Sequence, residues 1–207
     1  MTLLLTSAGM IVADEIYKIL PKSIKEIKLA HIVTAANPEE DKSYMVGDKN
    51  KLIEAGFQVE DIDIAVAIGD ELERALVDKD IIYVQGGNTF YLLHHARKSG
   101  FDKIVKKLVE NGVIYVGVSA GSILASPTIQ VAAWKGGDVN EVGITDLTAL
   151  GLVDFDIFVH YDKSHDEIIK EALLTTKYPL KIIDNNQAVF IKDNIVEVVG
   201  ASQEIII

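Results

Sequence analysis

The 207-residue chain contains no cysteine. A disulfide framework, a thiolate metal site and a cysteine nucleophile are therefore excluded, so any covalent catalyst must be another residue. Basic residues are also scarce, since 20 Lys and Arg stand against 31 Asp and Glu and give a net charge of −11. This balance offers no electrostatic support for binding nucleic acid or an anionic membrane surface. We expect neither as a partner.

Long apolar runs are also missing. The opening segment 1–7 has no basic region, and its apolar stretch is too short for a signal sequence or a membrane span, so we expect a cytoplasmic protein. Hydrophobic residues make up 49% of the chain, which is typical of a sequence that folds by itself. The length suits one α/β domain and the sequence contains no linker or repeat, so we expect a single domain over residues 1–207.

Short apolar runs alternate with segments whose apolar residues lie three and four apart. This alternation is typical of βα units around a mostly parallel sheet with helices on both faces. Near the end of the chain, two apolar runs flank Asp193-Asn194, which predicts an antiparallel hairpin over 188–199 at a sheet edge. The other predicted strands are 3–7, 27–35, 62–66, 81–84, 113–118, 155–160 and 180–183, and the predicted helices are 11–20, 42–55, 89–98, 101–110 and 166–175.

The most specific motif is Gly117-Val118-Ser119-Ala120-Gly121, directly after the predicted strand 113–118. This is the G-x-S-x-G pattern of a nucleophile elbow, in which a tight turn between strand and helix strains the serine backbone and small neighbours leave room for it. Ser119 is therefore the candidate nucleophile, and the N–H of Ala120 is a candidate oxyanion donor. The alternative is a glycine-rich βα turn without catalysis.

A second turn, Gly86-Gly87-Asn88, follows the predicted strand 81–84. Two glycines allow the backbone to approach a ligand closely, so the N–H of Gly87 is the candidate second oxyanion donor. The alternative is a plain βα connection with Asn88 as a helix N-cap. Both turns lie at the carboxyl ends of strands, where open parallel sheets bind ligands, so we expect Gly86 and Asn88 to line the substrate pocket.

A serine nucleophile needs a base within hydrogen-bond reach. His160 is the best candidate among five histidines, because it ends the predicted strand 155–160 and so emerges at the same edge of the sheet. The other four are more typical of core, mid-helix, and capping or solvated positions: His31, His94, His95 and His165.

These motifs, in this order, resemble the dipeptidase E (aspartyl dipeptidase, S51) serine peptidases. The resemblance implies a three-layer, flavodoxin-like fold of the class I glutamine amidotransferase type, with serine in place of the usual cysteine. It also implies a small peptide substrate, an acyl-enzyme at Ser119, His160 as general base, and an oxyanion hole formed by Gly87 and Ala120. The matching segments are Val84-Gln85-Gly86-Gly87-Asn88-Thr89, Gly117-Val118-Ser119-Ala120-Gly121-Ser122, Ser126-Pro127-Thr128-Ile129 and His160-Tyr161.

The sequence departs from the family at the third catalytic position. The family has an aspartate about fifteen residues after the serine to orient the imidazole, and this register falls on Trp134. An indole only donates, so it cannot accept the imidazole N–H. Asp138 or Glu141 from the same loop, or a backbone carbonyl, are the alternatives for this role. We expect Trp134 and Tyr161 to line the pocket instead.

The arginines also differ from the family pattern. Aspartyl dipeptidases use an arginine after the histidine to bind the acidic side chain of the substrate. Here the only arginines, Arg74 and Arg97, precede His160, and Lys163 offers a point charge without the guanidinium fork. Strict specificity for aspartyl dipeptides is therefore not expected.

The leading hypothesis is a serine peptidase that cleaves a small peptide or related amide, with no cofactor and no metal. One alternative is a family member that has lost catalysis and binds a small ligand or partner at the same pocket, which Trp134 favours. Another is an esterase using the same serine, because ester cleavage demands less leaving-group protonation. The apolar run Ile205-Ile206-Ile207 is of the kind that completes a sheet or an interface, and with both alternatives open a homo-oligomer is one expectation.

Overall fold

A mixed sheet forms the centre of the fold in the computed structural model, which describes residues 1–134, 136–193, 195–201 and 203–207. The strands described are β1 (Thr2–Thr6), β2 (Lys28–Ile32), β3 (Gln58–Ile62), β4 (Ile81–Val84), β5 (Ile114–Val118), β6 (Asp156–Phe158), β7 (Leu180–Ile182), β8 (Gln187–Lys192) and β9 (Ile195–Gly200). Among the described residues, seven of these strands form one sheet in the order β3-β2-β4-β5-β1-β8-β9. The pairs from β3 to β1 are parallel, whereas β8 and β9 are antiparallel.

Helices cover both faces of this sheet, which is why its central strands are apolar on both sides. The helices are α1 (Ala13–Lys18), α2 (Ser43–Ala55), α3 (Gly69–Leu76), α4 (Thr89–Ser99), α5 (Phe101–Glu110), α6 (Ala120–Ala125) and α7 (Asp166–Leu173). In β1, Leu3 and Leu5 belong to the buried cluster that includes residues of α3 to α6, whereas Leu4 belongs to the cluster that includes residues of α1 and α2. The predicted fold class, a mostly parallel sheet between helical layers with an antiparallel edge hairpin, is confirmed.

A small parallel sheet of β6 and β7 lies outside the main sheet. Its apolar side packs Phe158 and Ile182 against Ile169 of α7. At its start, the buried Asp156 carboxylate accepts hydrogen bonds from Thr128 Oγ1 (3.1 Å) and Gln130 Nε2 (2.6 Å). These bonds fix the beginning of the long loop that follows α6.

Some predicted boundaries are wrong. The strand predicted over 62–66 lies earlier, because β3 ends at Ile62 and Asp63 then caps a turn by accepting from the N–H of Ala65 (2.9 Å). Helix α3 has no counterpart in the prediction, and the first predicted helix begins as a 3-10 turn, Gly9–Val12. The predicted hairpin is present as β8 and β9; of its turn, Asp193 has a positive φ of 48°, and Asn194 lies outside the described residues.

Among the helices of the described residues, none is long and apolar enough to cross a bilayer.

Candidate active site

Ser119 occupies a strained turn between β5 and α6. Its φ of 48° and ψ of −109° lie outside the regions that non-glycine residues usually adopt. Glycines make the turn possible, because a Cβ on Gly121 would lie 2.1 Å from the Val84 carbonyl oxygen and one on Gly117 would lie 2.7 Å from the Ser122 nitrogen. The predicted elbow geometry is therefore present, and such strain is typical of functional positions.

His160 lies directly beside this serine. Its Nε2 is 2.9 Å from Ser119 Oγ, although 41 residues separate the two in sequence. The backbone of His160 has a φ of 57° just after β6, and its N–H donates to Ser7 Oγ (3.0 Å) at the end of β1. Ser7 in turn donates to the carbonyl of Ile183 (3.2 Å), so the histidine is held by the ends of two other strands.

Asn185 contacts the imidazole nitrogen of His160 that faces away from Ser119. Its Oδ1 lies 2.6 Å from His160 Nδ1. An amide oxygen can only accept, so Nδ1 carries the proton and Nε2 is left as the acceptor facing the hydroxyl of Ser119. Sequence reasoning missed Asn185, although it follows the predicted strand 180–183 and so comes to the same sheet edge as His160.

Asp138 and Glu141, the acids predicted as alternatives for the third position, make no described hydrogen bond to His160. Asp138 instead accepts from the N–H of Thr89 (2.6 Å) at the start of α4, where a carboxylate is favoured by the helix dipole. Glu141 is exposed. In the structure it is Asn185, and not an acid of this loop, that contacts His160 Nδ1.

The two predicted oxyanion donors border the serine. Ala120 is the first residue of α6, so its N–H has no partner within the helix. Gly87 has a φ of 134°, and a Cβ there would lie 2.3 Å from the Ala35 carbonyl oxygen, so the turn tolerates only glycine. Its neighbour Gly86 packs so closely that an added Cβ would lie 3.1 Å from Ser119 Cβ.

Two cavities open beside the Ser119–His160 pair. The larger has a volume of about 490 Å³ and the smaller about 200 Å³. Both are lined by Ser119, His160 and Asp138, so the pair lies at the boundary between them. A substrate held at Ser119 can therefore extend in two directions.

Comparison with known proteins places this arrangement in a family. The model of peptidase family S51 matches residues 3–199. The chain belongs to peptidase family S51. It is 35% identical over 164 residues to an uncharacterized peptidase of Listeria monocytogenes, covering 78% of this chain and 80% of that protein. The resemblance to peptidase E proteins that the motifs indicate is thereby confirmed.

A solved structure and a further sequence relative agree with this assignment. A candidate peptidase E protein from Listeria monocytogenes EGD-e shares a TM-score of 0.85 and 31% identity, covering 97% of this chain and 98% of that one. A peptidase E of Shewanella amazonensis is 39% identical over 88 residues, which is 42% of this chain and 36% of that protein.

Only some of the residues predicted to line the pocket of this S51 family member line one of the two cavities. Gly86 and Gly87 line the larger cavity and Trp134 lines the smaller one. Neither lining includes Asn88, whose side chain caps α4 by accepting from the Tyr91 N–H (2.9 Å). Tyr161 is also outside both linings, and its hydroxyl donates to Asp166 (2.7 Å).

Three other histidine predictions agree with the structure. His31 is fully buried, with Nδ1 2.9 Å from Asp61 Oδ1 and Nε2 3.3 Å from Gln85 Oε1. His94 lies within α4. His165 forms a capping box with Asp162 and also lines the smaller cavity of this S51 protein.

Acidic side chains stand out around the larger cavity. Glu39, Asp48 and Asp138 line it together with Lys51. Burial raises the pKa of Asp48, although the hydrogen bond from the Tyr83 hydroxyl (2.9 Å) opposes this shift. The walls of this S51 site thus carry more acidic than basic groups, which disfavours an anionic ligand.

Proposed function

We propose that this chain is a serine peptidase that cleaves a small peptide or a related amide through an acyl-enzyme at Ser119. The observation that carries the proposal is the 2.9 Å contact between Ser119 Oγ and His160 Nε2 on a strained turn. A serine is a weak nucleophile unless a base accepts its proton, and this contact supplies the base. Membership of family S51 supports the same chemistry.

The reaction follows from these positions. Ser119 Oγ attacks the carbonyl carbon while its proton passes to His160 Nε2, and the N–H groups of Gly87 and Ala120 bind the oxyanion. The C–N bond then breaks, and Nε2 gives the proton to the leaving amine. In the second half, water adds to the acyl carbon and gives its proton to Nε2. The C–Oγ bond breaks, Oγ takes that proton back, and the acid is released.

Asn185 is the positioning residue in this proposal. Its contact with Nδ1 (2.6 Å) holds the imidazole in the tautomer that leaves Nε2 free to accept. A Cys-His-Asn arrangement does the same in papain-like proteases, so an amide at this position is compatible with peptide hydrolysis.

An esterase using the same residues is the second candidate. Asn185 brings no full negative charge to His160, so it stabilises the imidazolium less than a carboxylate would. Ester cleavage depends less on protonation of the leaving group. A catalytic site with a neutral third residue therefore favours esters relative to amides.

The proposal is tested by labelling with a small fluorophosphonate, followed by intact-mass measurement at neutral pH. We expect one adduct on the native protein, none on Ser119→Ala, and labelling slowed by about 10²- to 10⁴-fold in His160→Ala. His94→Ala is the matched control, since it removes an imidazole that lies in α4, and it should label at the native rate.

Absence of an adduct on folded native protein would overturn the proposal and favour a protein that binds a ligand at this pocket without catalysis. A labelled protein that hydrolyses esters but not dipeptides would select the esterase.

A further inference from the structure

The two cavities beside Ser119 differ in their chemistry. The larger carries Glu39, Asp48 and Lys51 on its walls, whereas these three charged groups are absent from the smaller one. At about 200 Å³, the smaller cavity lies below the roughly 300–1,000 Å³ of a complete small-molecule site. It is therefore the size of a subsite that takes one part of a substrate whose remainder lies in the larger cavity.

Apolar side chains form one part of the wall of the smaller cavity. Trp134 and Phe158 stack with ring centroids 5.7 Å apart and planes 26° apart, and both line it. Ile123, Val131 and Val159 complete the apolar wall. An apolar group that leaves water for this surface gains roughly 25 cal/mol per Å² buried, whereas a polar group gains nothing comparable.

The charged groups at this cavity disfavour a carboxylate. Asp138 lies at its boundary with the nucleophile, and the described residues that line it include neither lysine nor arginine. Lys135, which stands between the lining residues Trp134 and Gly136 in sequence, lies outside the described residues. The remaining titratable groups on the wall are His160, which faces Ser119, and His165, whose Nδ1 accepts from the N–H of Asp162 (3.2 Å). Arg97 is engaged elsewhere, with Nη2 2.6 Å from the Thr148 carbonyl oxygen and 3.2 Å from Asp146 Oδ2.

We infer that the smaller cavity is a specificity subsite for an apolar side chain, so that the protein prefers a leucine-like residue beside the scissile bond over an aspartate. The inference rests on the proposed function, because it assumes that the substrate carbonyl lies at Ser119. Leucine and aspartate have the same branching, so the discrimination comes from polarity rather than shape.

The test uses dipeptides that differ in one side chain, in both orders: Leu-Gly and Gly-Leu, Asp-Gly and Gly-Asp, Asn-Gly and Gly-Asn, and Gly-Gly. We expect kcat/KM for one leucine order to exceed that of Gly-Gly and of the matching aspartate and asparagine peptides by about tenfold or more. The asparagine peptides separate the effect of polarity from that of charge.

A variant ties the preference to the cavity. Trp134→Ala should lower kcat/KM for the preferred leucine peptide by about tenfold while changing that for Gly-Gly much less. Leu180→Ala is the matched control, because Leu180 packs against the same apolar cluster without lining the cavity. It should keep the native ratio of leucine to glycine hydrolysis.

Fluorophosphonate labelling separates the two possible failures. A protein that labels at Ser119 but cleaves the aspartate peptide as well as the leucine peptide would overturn this inference and leave the proposed function standing. An equal loss of the leucine preference in Leu180→Ala and Trp134→Ala would also overturn it. A native protein that does not label would remove the proposed function itself.

Discussion

At the residue scale, the unusual feature is a neutral amide on the outer nitrogen of the candidate base. Asn185 Oδ1 fixes the imidazole tautomer over a 2.6 Å contact. A carboxylate would do this and would also stabilise the imidazolium that forms when Ser119 gives up its proton. In a triad the third residue both orients the imidazole and stabilises its charge, whereas Asn185 only orients it. Substitutions of Asn185 can therefore measure the two effects separately.

We predict opposite effects for two substitutions of Asn185. Asn185→Ala should slow fluorophosphonate labelling by about 10- to 100-fold, because the imidazole loses the acceptor that orients it. Asn185→Asp should label at least as fast as the native protein. The acid limb of the pH profile of labelling in Asn185→Asp should move to higher pH, because a carboxylate beside the imidazole favours its protonated form. Unchanged rates in both variants would remove Asn185 from the site.

Two glycines near Ser119 should respond differently to alanine. In Gly86→Ala the new Cβ would lie 3.1 Å from Ser119 Cβ, so we expect slower labelling with a small loss of stability. In Gly121→Ala it would lie 2.1 Å from the Val84 carbonyl oxygen, so we expect about 1–3 kcal/mol of destabilisation. Urea denaturation and labelling rates check both, and equal stability of the two variants would contradict the packing argument.

A residue of the site could be predicted where the sequence immediately around it has a recognisable pattern. Ser119 follows from its glycines and preceding strand, and His160 follows from its place at the end of an apolar run. Asn185 could not be selected, because its role depends on the parallel pairing of β6 with β7, which brings together residues 25 apart. Asp138 shows that closeness in sequence does not fix a contact, since its carboxylate accepts from the first N–H of α4 rather than from His160.

At the element scale, predictions held where strands are buried on both faces and at the hairpin edge, and failed at the edge formed by β3. Strand β4 is buried at every position, so its apolar run marks it clearly. Strand β3 is an edge strand with three exposed positions of five. Its exposed residues are polar, so the sequence has no apolar run that would predict this strand. The apolar residues after Ile62 belong instead to a turn, which the Asp63 carboxylate organises.

That turn gives a pH-dependent prediction. Burial alone would raise the pKa of Asp63, but hydrogen bonds from Thr34, the N–H of Ala65 and Asn37 outweigh it and lower the pKa. Because the folded pKa is depressed, the carboxylate stabilises the fold above its unfolded pKa, and this is lost as pH falls through the folded value.

Asp63→Ala should therefore lower the free energy of unfolding at pH 7 by about 1 kcal/mol, after allowance for partial exposure. Near pH 3 the difference from the native protein should shrink. Urea denaturation at the two pH values checks this, and a difference that stays the same at both would contradict it.

At the scale of the whole molecule, the Ser119–His160 pair and the glycine turns lie together at one edge, just after the carboxyl ends of β4, β5 and β6, where ligands bind in parallel sheets. The charge of the molecule acts on that edge as well. A net charge of −11, with Glu39, Asp48 and Asp138 on the cavity walls, creates a negative potential that extends into solvent. At an ionic strength of about 0.01 M this potential reaches roughly 30 Å, and at about 0.15 M roughly 8 Å.

Labelling rates should therefore depend on the charge of the probe. A fluorophosphonate with a trimethylammonium tail should label Ser119 faster than one with a matched neutral tail at low salt, and its advantage should fall as sodium chloride is raised to 0.15 M. A sulfonate-tailed probe should show the opposite trend and label faster with added salt. The neutral probe is the internal control, because its rate reports any effect of salt on the site itself. If all three rates followed the same salt dependence, the acidic surface would have no part in substrate capture, and discrimination against anionic substrates would have to come from contacts inside the cavities alone.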